Sequence, residues 1–311
     1  NDDFENIVFS SKNNFSFKIN NKFKIKDLVL NSNINIKNLI FKNKKKGKYF
    51  FPEVKDKIFL KDNDIKIEYT KNKFLIEGTG DLLLQNKIDK IKYSINSQNQ
   101  IYEIKTIIEL NQNPLSINFL NYEKEKKSKA IVKVETILNK NNEINFKTVK
   151  INEKENQILF ENIFLDKDFK IKKIDNINLD YFDIEKKRNN IKVIRDENSY
   201  NLIGKKFNAE SLIAKLVKNN SNQNELFKED FNLNLKIDQI YLDKKNYIKN
   251  LKGNLKIVNN KVVTANIRSI FPNNERLNFF IKSKNNQKIT TLFSENAEPL
   301  VKQFDFIKGY E

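Results

Sequence analysis

The chain has no cysteine, histidine, methionine or tryptophan, and its 311 residues include only 6 glycines and 4 prolines. Each absence excludes something. Without cysteine there is no thiol nucleophile, no zinc knot and no disulfide framework. Without histidine there is no Ser-His-Asp triad, no Cys-His pair and no imidazole metal ligand. With no methionine and a first residue Asn1, the chain reads as an internal segment of a longer polypeptide. No apolar run approaches the 18 or so residues of a membrane-spanning helix, and no signal peptide is present. Any anchor or export signal is therefore expected upstream. With so few glycines and prolines, Asn, Lys and Asp must make most of the turns.

Arginine is also scarce. Only Arg188, Arg195, Arg268 and Arg276 contribute to a formal charge of +18, leaving 58 − 4 = 54 lysines. Arginine is the residue suited to bidentate phosphate and guanine contacts. The lysines are scattered over wet positions and turns, with one tight run at Lys44-Lys45-Lys46. A solvated face is the expectation, and no nucleic-acid partner is expected. A polycationic surface near anionic headgroups remains physically reasonable.

What is present is one pattern restarted along nearly the whole chain. Phe15-Ser-Phe-Lys-Ile19, Ile65-Lys-Ile-Glu-Tyr69, Phe74-Leu-Ile76, Ile144-Asn-Phe146 and Phe231-Asn-Leu-Asn-Leu-Lys-Ile237 alternate apolar with polar residues. Period two marks a β-strand with one face buried and one wet. The expected fold class is all-β, mainly an antiparallel meander in which each strand pairs with its sequence neighbour. The strands are placed near 15–20, 23–30, 33–42, 57–60, 64–70, 73–77, 81–85, 88–95, 100–110, 115–121, 129–138, 143–151, 156–165, 169–182, 190–195, 199–203, 231–242, 246–258, 261–271, 276–283 and 287–293. Asn20-Asn21, Thr70-Lys-Asn72, Asn139-Lys-Asn-Asn142, Asn259-Asn260 and Asn285-Asn286 read as short hairpin connections.

Two stretches break the alternation. Residues 208–218 carry apolar side chains at 212, 213, 216 and 217 behind Asn208 as a cap, which is helical spacing. Residues 295–305 read as a second short helix, with Ser294 as its cap. An echo joins Ile25-Lys-Asp-Leu-Val-Leu30, Ile174-Asp-Asn-Ile-Asn-Leu179 and Ile237-Asp-Gln-Ile-Tyr-Leu242. The first and third continue to Ile36-Lys-Asn-Leu39 and Ile248-Lys-Asn-Leu251, a spacing that a strand, a turn and a second strand would explain.

No constellation carries chemistry. Glu77-Gly-Thr-Gly-Asp81 lacks the third glycine and the helix of a nucleotide loop, so it reads as a bulge or sharp turn. Asp62-Asn-Asp64 and Asp2-Asp3 lack the spacing of calcium loops and read as turns. The aromatic clusters Tyr49-Phe-Phe51 and Phe279-Phe280 read as core rather than base-stacking platforms. No catalytic, cofactor or metal residue is assigned, and the chain is not expected to be an enzyme. Its apolar strand faces still require a cover.

The final third resembles a known family. Tyr200-Asn-Leu-Ile-Gly-Lys-Lys-Phe-Asn-Ala-Glu-Ser-Leu-Ile, a polar loop, and Phe231-Asn-Leu-Asn-Leu-Lys-Ile-Asp-Gln-Ile-Tyr-Leu242 are similar to the AsmA-like superfamily, in particular its YhdP-like members. Ile248-Lys-Asn-Leu-Lys-Gly-Asn-Leu and the stretch from Ser294 to Gly309 fit the same pattern, although Ala297-Glu-Pro stands where the family has Ala-Gly. The resemblance covers about 110 residues by motif and the first 200 only by texture. It divides the chain into a repetitive sheet segment, 1–200, and an AsmA-like segment, 201–311.

The resemblance implies an elongated curled sheet with a hydrophobic groove, in a periplasmic protein anchored to the inner membrane by a segment outside this chain. Such a protein would conduct phospholipids toward the outer membrane, its partners being acyl chains and the two membranes. The groove floor would then come from Phe15, Phe17, Ile19, Ile65, Ile67, Phe74, Ile76, Ile144, Phe146, Phe231, Leu233, Leu235, Ile237, Leu277, Phe279 and Ile281. The alternative is a non-catalytic structural or adhesive sandwich or solenoid that buries the same face against itself.

Overall fold

The computed structural model describes residues 4–43, 50–141, 143–167, 170–210, 229–259, 261–284 and 287–298. The chain is nearly all β, in large, mostly antiparallel sheet structure that does not close into a barrel. It forms two compact units, one of residues 1–118 and 123–156, the other of 119–122 and 157–311. This division follows contacts, and is different in kind from the 1–200 and 201–311 division drawn from sequence texture.

The first unit contains β1 (Phe4–Ile19), β2 (Ile25–Lys42), β3 (Lys57–Thr70), β4 (Lys73–Leu83), β5 (Asp89–Gln98), β6 (Ile101–Leu110), the two-residue strand β7 (Ser116–Ile117), then, after β8 (Tyr122–Glu123) at the boundary of the two units, β9 (Ala130–Leu138) and β10 (Ile144–Glu153). The long strands pair antiparallel in the order β1-β2-β3-β4-β5-β6-β9-β10. The second contains β11 (Asn156–Leu165), β12 (Ile171–Phe182), β13 (Arg188–Asp196), β14 (Ser199–Asn208), β15 (Phe231–Tyr241), β16 (Tyr247–Val258), β17 (Lys261–Ile270), β18 (Arg276–Lys284) and β19 (Gln287–Ser294). These pair in sequence order.

One pairing departs from the expected meander: β14 and β15 run parallel, Leu202 opposite Leu235 and Gly204 opposite Ile237. A parallel pair needs a crossover rather than a hairpin, and the connection 209–230 supplies it. The helix expected at 208–218 lies in that connection, and beyond Glu210 it falls outside the described residues. Asn208, at the end of β14, accepts from Glu210 N through its side-chain oxygen at 3.2 Å. Most of the helix expected at 295–305 is likewise outside. Ser294 ends β19, and the cap-like contact there belongs to Asn296, whose Oδ1 accepts from Glu298 N at 3.3 Å.

Several expected strand pairs are single long strands. β1 begins at Phe4 rather than near 15, and β2 and β3 each merge two expected strands. The reason is local. Asn6, Asp27, Asp62, Asn162 and Asn250 all sit inside strands with left-handed φ between 47° and 55°. Asn and Asp tolerate this conformation, so they make bulges where other chains use glycine. Asp62 shifts the β3–β4 register between Lys61 and Asp64, so the polar Asp-Asn-Asp sequence bends a strand without ending it.

Gly78-Thr-Gly80 is correspondingly not a turn. It lies within β4, whose pairing to β5 is unbroken from Lys73 to Leu82. A Cβ on Gly78 would meet the Tyr93 ring at 2.2 Å, and one on Gly80 would meet Asn63 Cγ at 2.4 Å. Both glycines are there for close approach. The echo also loses its structural explanation. Ile25 to Leu39 is one strand, whereas Ile237 to Leu251 spans β15, a turn and β16. The 115–121 stretch keeps only Ser116–Ile117 as strand before a turn.

Candidate functional site

Cross-strand register decides which side chains share a face, because directly opposed residues point the same way. In the first unit, one transverse row runs Phe15, Leu30, Tyr69, Phe74, Ser97, Tyr102, Leu138, Ile144. The next runs Asn13, Ser32, Ile67, Ile76, Ile95, Ile104, Thr136, Phe146. A third runs Ser11, Ile34, Ile65, Gly78, Tyr93, Thr106, Val134, Val149. Phe17 and Ile19 continue the alternation of Phe15. Every groove residue expected in this unit therefore lies on one face.

The second unit repeats the arrangement. Phe160, Ile177, Val193, Leu202, Leu235, Gly253, Ile267, Phe279 and Leu292 form an unbroken row across all nine strands. Beside it run Tyr200, Leu233, Leu255, Ala265, Ile281 and, on the other flank, Ile158, Leu179, Ile191, Gly204, Ile237, Leu251. Leu277 and Phe231 take the same face by alternation with Phe279 and Leu233. All seven expected residues of this unit are brought together.

Burial is graded along the strands. At the end where the longer loops lie, Ile58, Leu82, Leu110 and Ala130 are buried in the first unit, and Ile158, Leu179, Ile191, Ile237 and Leu251 in the second. Loop residues Phe51, Val54 and Leu84 pack onto Ile58 and Leu82, while loop residues Leu242 and Phe271, with Ile248 at the start of β16, pack onto Ile237 and Leu277. Away from those loops the same face is half-buried, as at Ile65, Ile67, Phe74, Ile76, Ile144, Phe146, Phe231, Leu233, Leu235 and Phe279. At the first edge Phe15 is 66% exposed, with Phe17 and Ile19 also exposed. Among the described residues no helix and no second long sheet covers either face.

Polar networks sit under the loops. In the first unit, Asn113 Nδ2 donates to Asp89 Oδ2 at 2.5 Å and to Lys87 O at 2.6 Å, while Asn111 N donates to Asp89 Oδ1 at 3.1 Å. Lys124 Nζ donates to the carbonyls of Asn111 and Glu125 at 3.0 and 3.1 Å, and Glu125 N and Ser128 Oγ donate to Glu153. Burial pushes the Asp89 carboxyl up and the Lys124 ammonium down from their ordinary values, against hydrogen bonds and mutual attraction that oppose it. In the second unit, Asn208 and Asn189 donate to Asp183 at 2.7 and 3.3 Å, and Lys187 Nζ reaches Asp243 O at 2.8 Å and Glu185 at 3.0 Å. These groups satisfy strand ends and loops, and no group of metal-ligating side chains forms among the described residues.

The opposite face holds a feature that alternation does not announce. In the first unit a cavity of about 840 Å³ lies over that polar side. Its walls are the rows Ser10, Asn35, Asp64, Thr79, Lys92, Ile107 and Lys12, Asn33, Lys66, Glu77, Ser94, Lys105, which flank the backbone of the Ile65 row. Alternating polar residues announce an exposed face, but whether that face is recessed depends on sheet twist.

What the geometry defines is a class: β-sheet proteins with one apolar and one polar face, packed under loops at one end and open toward the other. No protein family, curated protein or solved structure matches the chain.

Proposed function

We infer that this chain is a segment of a bridge-type lipid carrier of the AsmA-like, YhdP-like kind, conducting phospholipids between the inner and outer membranes through the periplasm. The observation that carries the reading is the set of mainly apolar rows, one strand after another, on a face left half-open in both units. Strands lie about 4.8 Å apart, so the seven spacings between the eight long strands of the first unit carry such rows over about 34 Å. Acyl chains bound there would replace the second layer that a sandwich supplies. The Lys- and Asn-rich opposite face stays in water. Movement along rows needs no reacting group, only continuity of apolar surface.

The test is native mass spectrometry of the purified chain for bound phospholipid, combined with photo-crosslinkers. Crosslinkers at Ile67, Ile76, Leu235 and Phe279 should capture lipid, and those at Lys18 and Asn234 should not. A lipid-free chain whose apolar rows are fully protected by protein contacts would reject the reading, and would select a structural or adhesive sheet protein instead.

A further inference from the structure

The β1–β2 hairpin carries a surface that the apolar rows do not explain. Its pairing continues to Ile19 opposite Ile25, but the third strand stops at Thr70, and the last β2–β3 pair is Leu30 opposite Tyr69. Residues 16–28 therefore form a two-stranded ribbon that projects beyond its neighbours, by about four residue pairs or roughly 13 Å. The ribbon is amphipathic. Phe17, Ile19 and Ile25 alternate onto one side, continuing from Phe15, whose ring stacks on Phe17 with centroids 6.2 Å apart. Lys18 lies opposite Lys26 on the other side, and Lys22 and Lys24 flank the turn.

At the tip stands Phe23, 91% exposed. It is held there by a built turn. Asn20 Oδ1 accepts from Lys22 N at 3.0 Å and Lys24 N at 2.9 Å, and Phe23 N donates to Asn20 O at 2.9 Å. The turn places Phe23 at φ 55°, a left-handed conformation that a bulky side chain rarely adopts. An exposed aromatic kept in an unfavourable conformation, and ringed by lysines, is poorly explained as a solvated loop. The ribbon's four lysines against Asp27 leave it 4 − 1 = +3. Asp27 is itself engaged by Lys18 at 3.3 Å.

We propose that this ribbon is a membrane-surface probe, inserting Phe23 and its apolar side into the interface of an anionic bilayer while Lys22, Lys24 and Lys26 meet the headgroups. Aromatic and aliphatic tips enter the headgroup boundary, and clustered lysines draw them to negatively charged leaflets. The inference does not depend on lipid lying along the apolar rows.

The chain has no tryptophan, so Phe23→Trp makes a single fluorescent reporter. The full chain carrying it is mixed with vesicles of phosphatidylcholine containing one-third phosphatidylglycerol, and with vesicles of phosphatidylcholine alone. The expected result is a blue shift, quenched by brominated acyl chains, on the anionic vesicles only. Phe23→Asn suits the left-handed turn and so removes only the apolar tip. That variant and the Lys22→Glu/Lys24→Glu double variant should each lower vesicle co-sedimentation at least about tenfold, since each lysine near such a surface contributes about fivefold. Both should keep the wild-type circular dichroism and any lipid that co-purifies. Unshifted emission, equal binding to neutral vesicles, or binding that survives both variants overturns the proposal. So does a blue shift that grows with protein concentration without vesicles, which would assign the tip to a second copy of the chain.

Discussion

At the scale of single residues, close backbone approach and left-handed conformations decide most of the sensitive positions. Gly253 faces Asn266 O and Ile267 Cα, which a Cβ would approach to 2.3 and 2.8 Å. Backbone atoms of a paired strand cannot yield as a side chain does, so Gly253→Ala should cost about 1–3 kcal/mol as overpacking. Urea unfolding should show it as more damaging than Gly78→Ala, whose neighbour is a movable Tyr93 ring. Phe23→Asn should act in the other direction and raise stability by a few tenths to about 1 kcal/mol, because Asn accepts the αL turn more readily.

Asp89 supplies a pH prediction at the same scale. Burial raises its carboxyl above the ordinary value of 3.8, so the folded state favours the protonated form. That contribution is fully present below the unfolded value, and is lost as pH rises through the raised folded value. Denaturant unfolding from about pH 3.8 upward should therefore show a declining component in the native chain that is absent in Asp89→Asn.

Single elements were legible where alternation was clean and obscure where an Asx residue bent a strand. β11 was readable to its ends, and β15 shows its pattern directly, with Asn232, Asn234, Lys236 and Asp238 exposed between Phe231, Leu233, Leu235 and Ile237. At Asp27, Asp62 and Asn250 the same residue types that end strands elsewhere sit inside them. Two of these occur in the phrase Ile-Lys-Asx-Leu, at 25–28 and 248–251, but the same phrase at 36–39 carries no left-handed residue, so it does not mark the bulges. The parallel β14–β15 pair was not legible, because strand direction depends on where the 209–230 connection leads.

Register also exposes a strained row. Lys236, Lys252 and Arg268 lie directly opposite one another on β15, β16 and β17, all exposed. Like charges in opposed positions repel. Lys252→Glu should then stabilise the chain by about 0.2–1 kcal/mol for each cation it faces. Added salt should shrink the gain, and thermal melts at low and high ionic strength are the check.

For the molecule as a whole, the balance between a packed end and an open end is what a lipid carrier would need. Ile237→Ala removes a buried side chain from the packed end and should cost about 2–5 kcal/mol. Ile76→Lys lies on the half-open part of the same type of face. It should leave the denaturation midpoint nearer to wild type than Ile237→Ala, while sharply reducing co-purified phospholipid in mass spectra. If both substitutions cost equal stability and neither alters lipid content, the open part of the face is ordinary core.

The sequence by itself determined that this chain is β-structured, that its strands are one-sided, and which side chains alternate inward, because side-chain direction in a strand follows from period two alone. It also determined, through missing His and Cys, which catalytic chemistries are closed to it. Only the tertiary structure decided that those inward residues line up in rows across strands, since register joins residues far apart in sequence. It alone decided that loops seal one end of each face, that the polar face of the first unit is recessed, and that one hairpin projects with Phe23 at its tip. Those features depend on twist, bulges and the lengths at which neighbouring strands stop, none of which a single strand's pattern records.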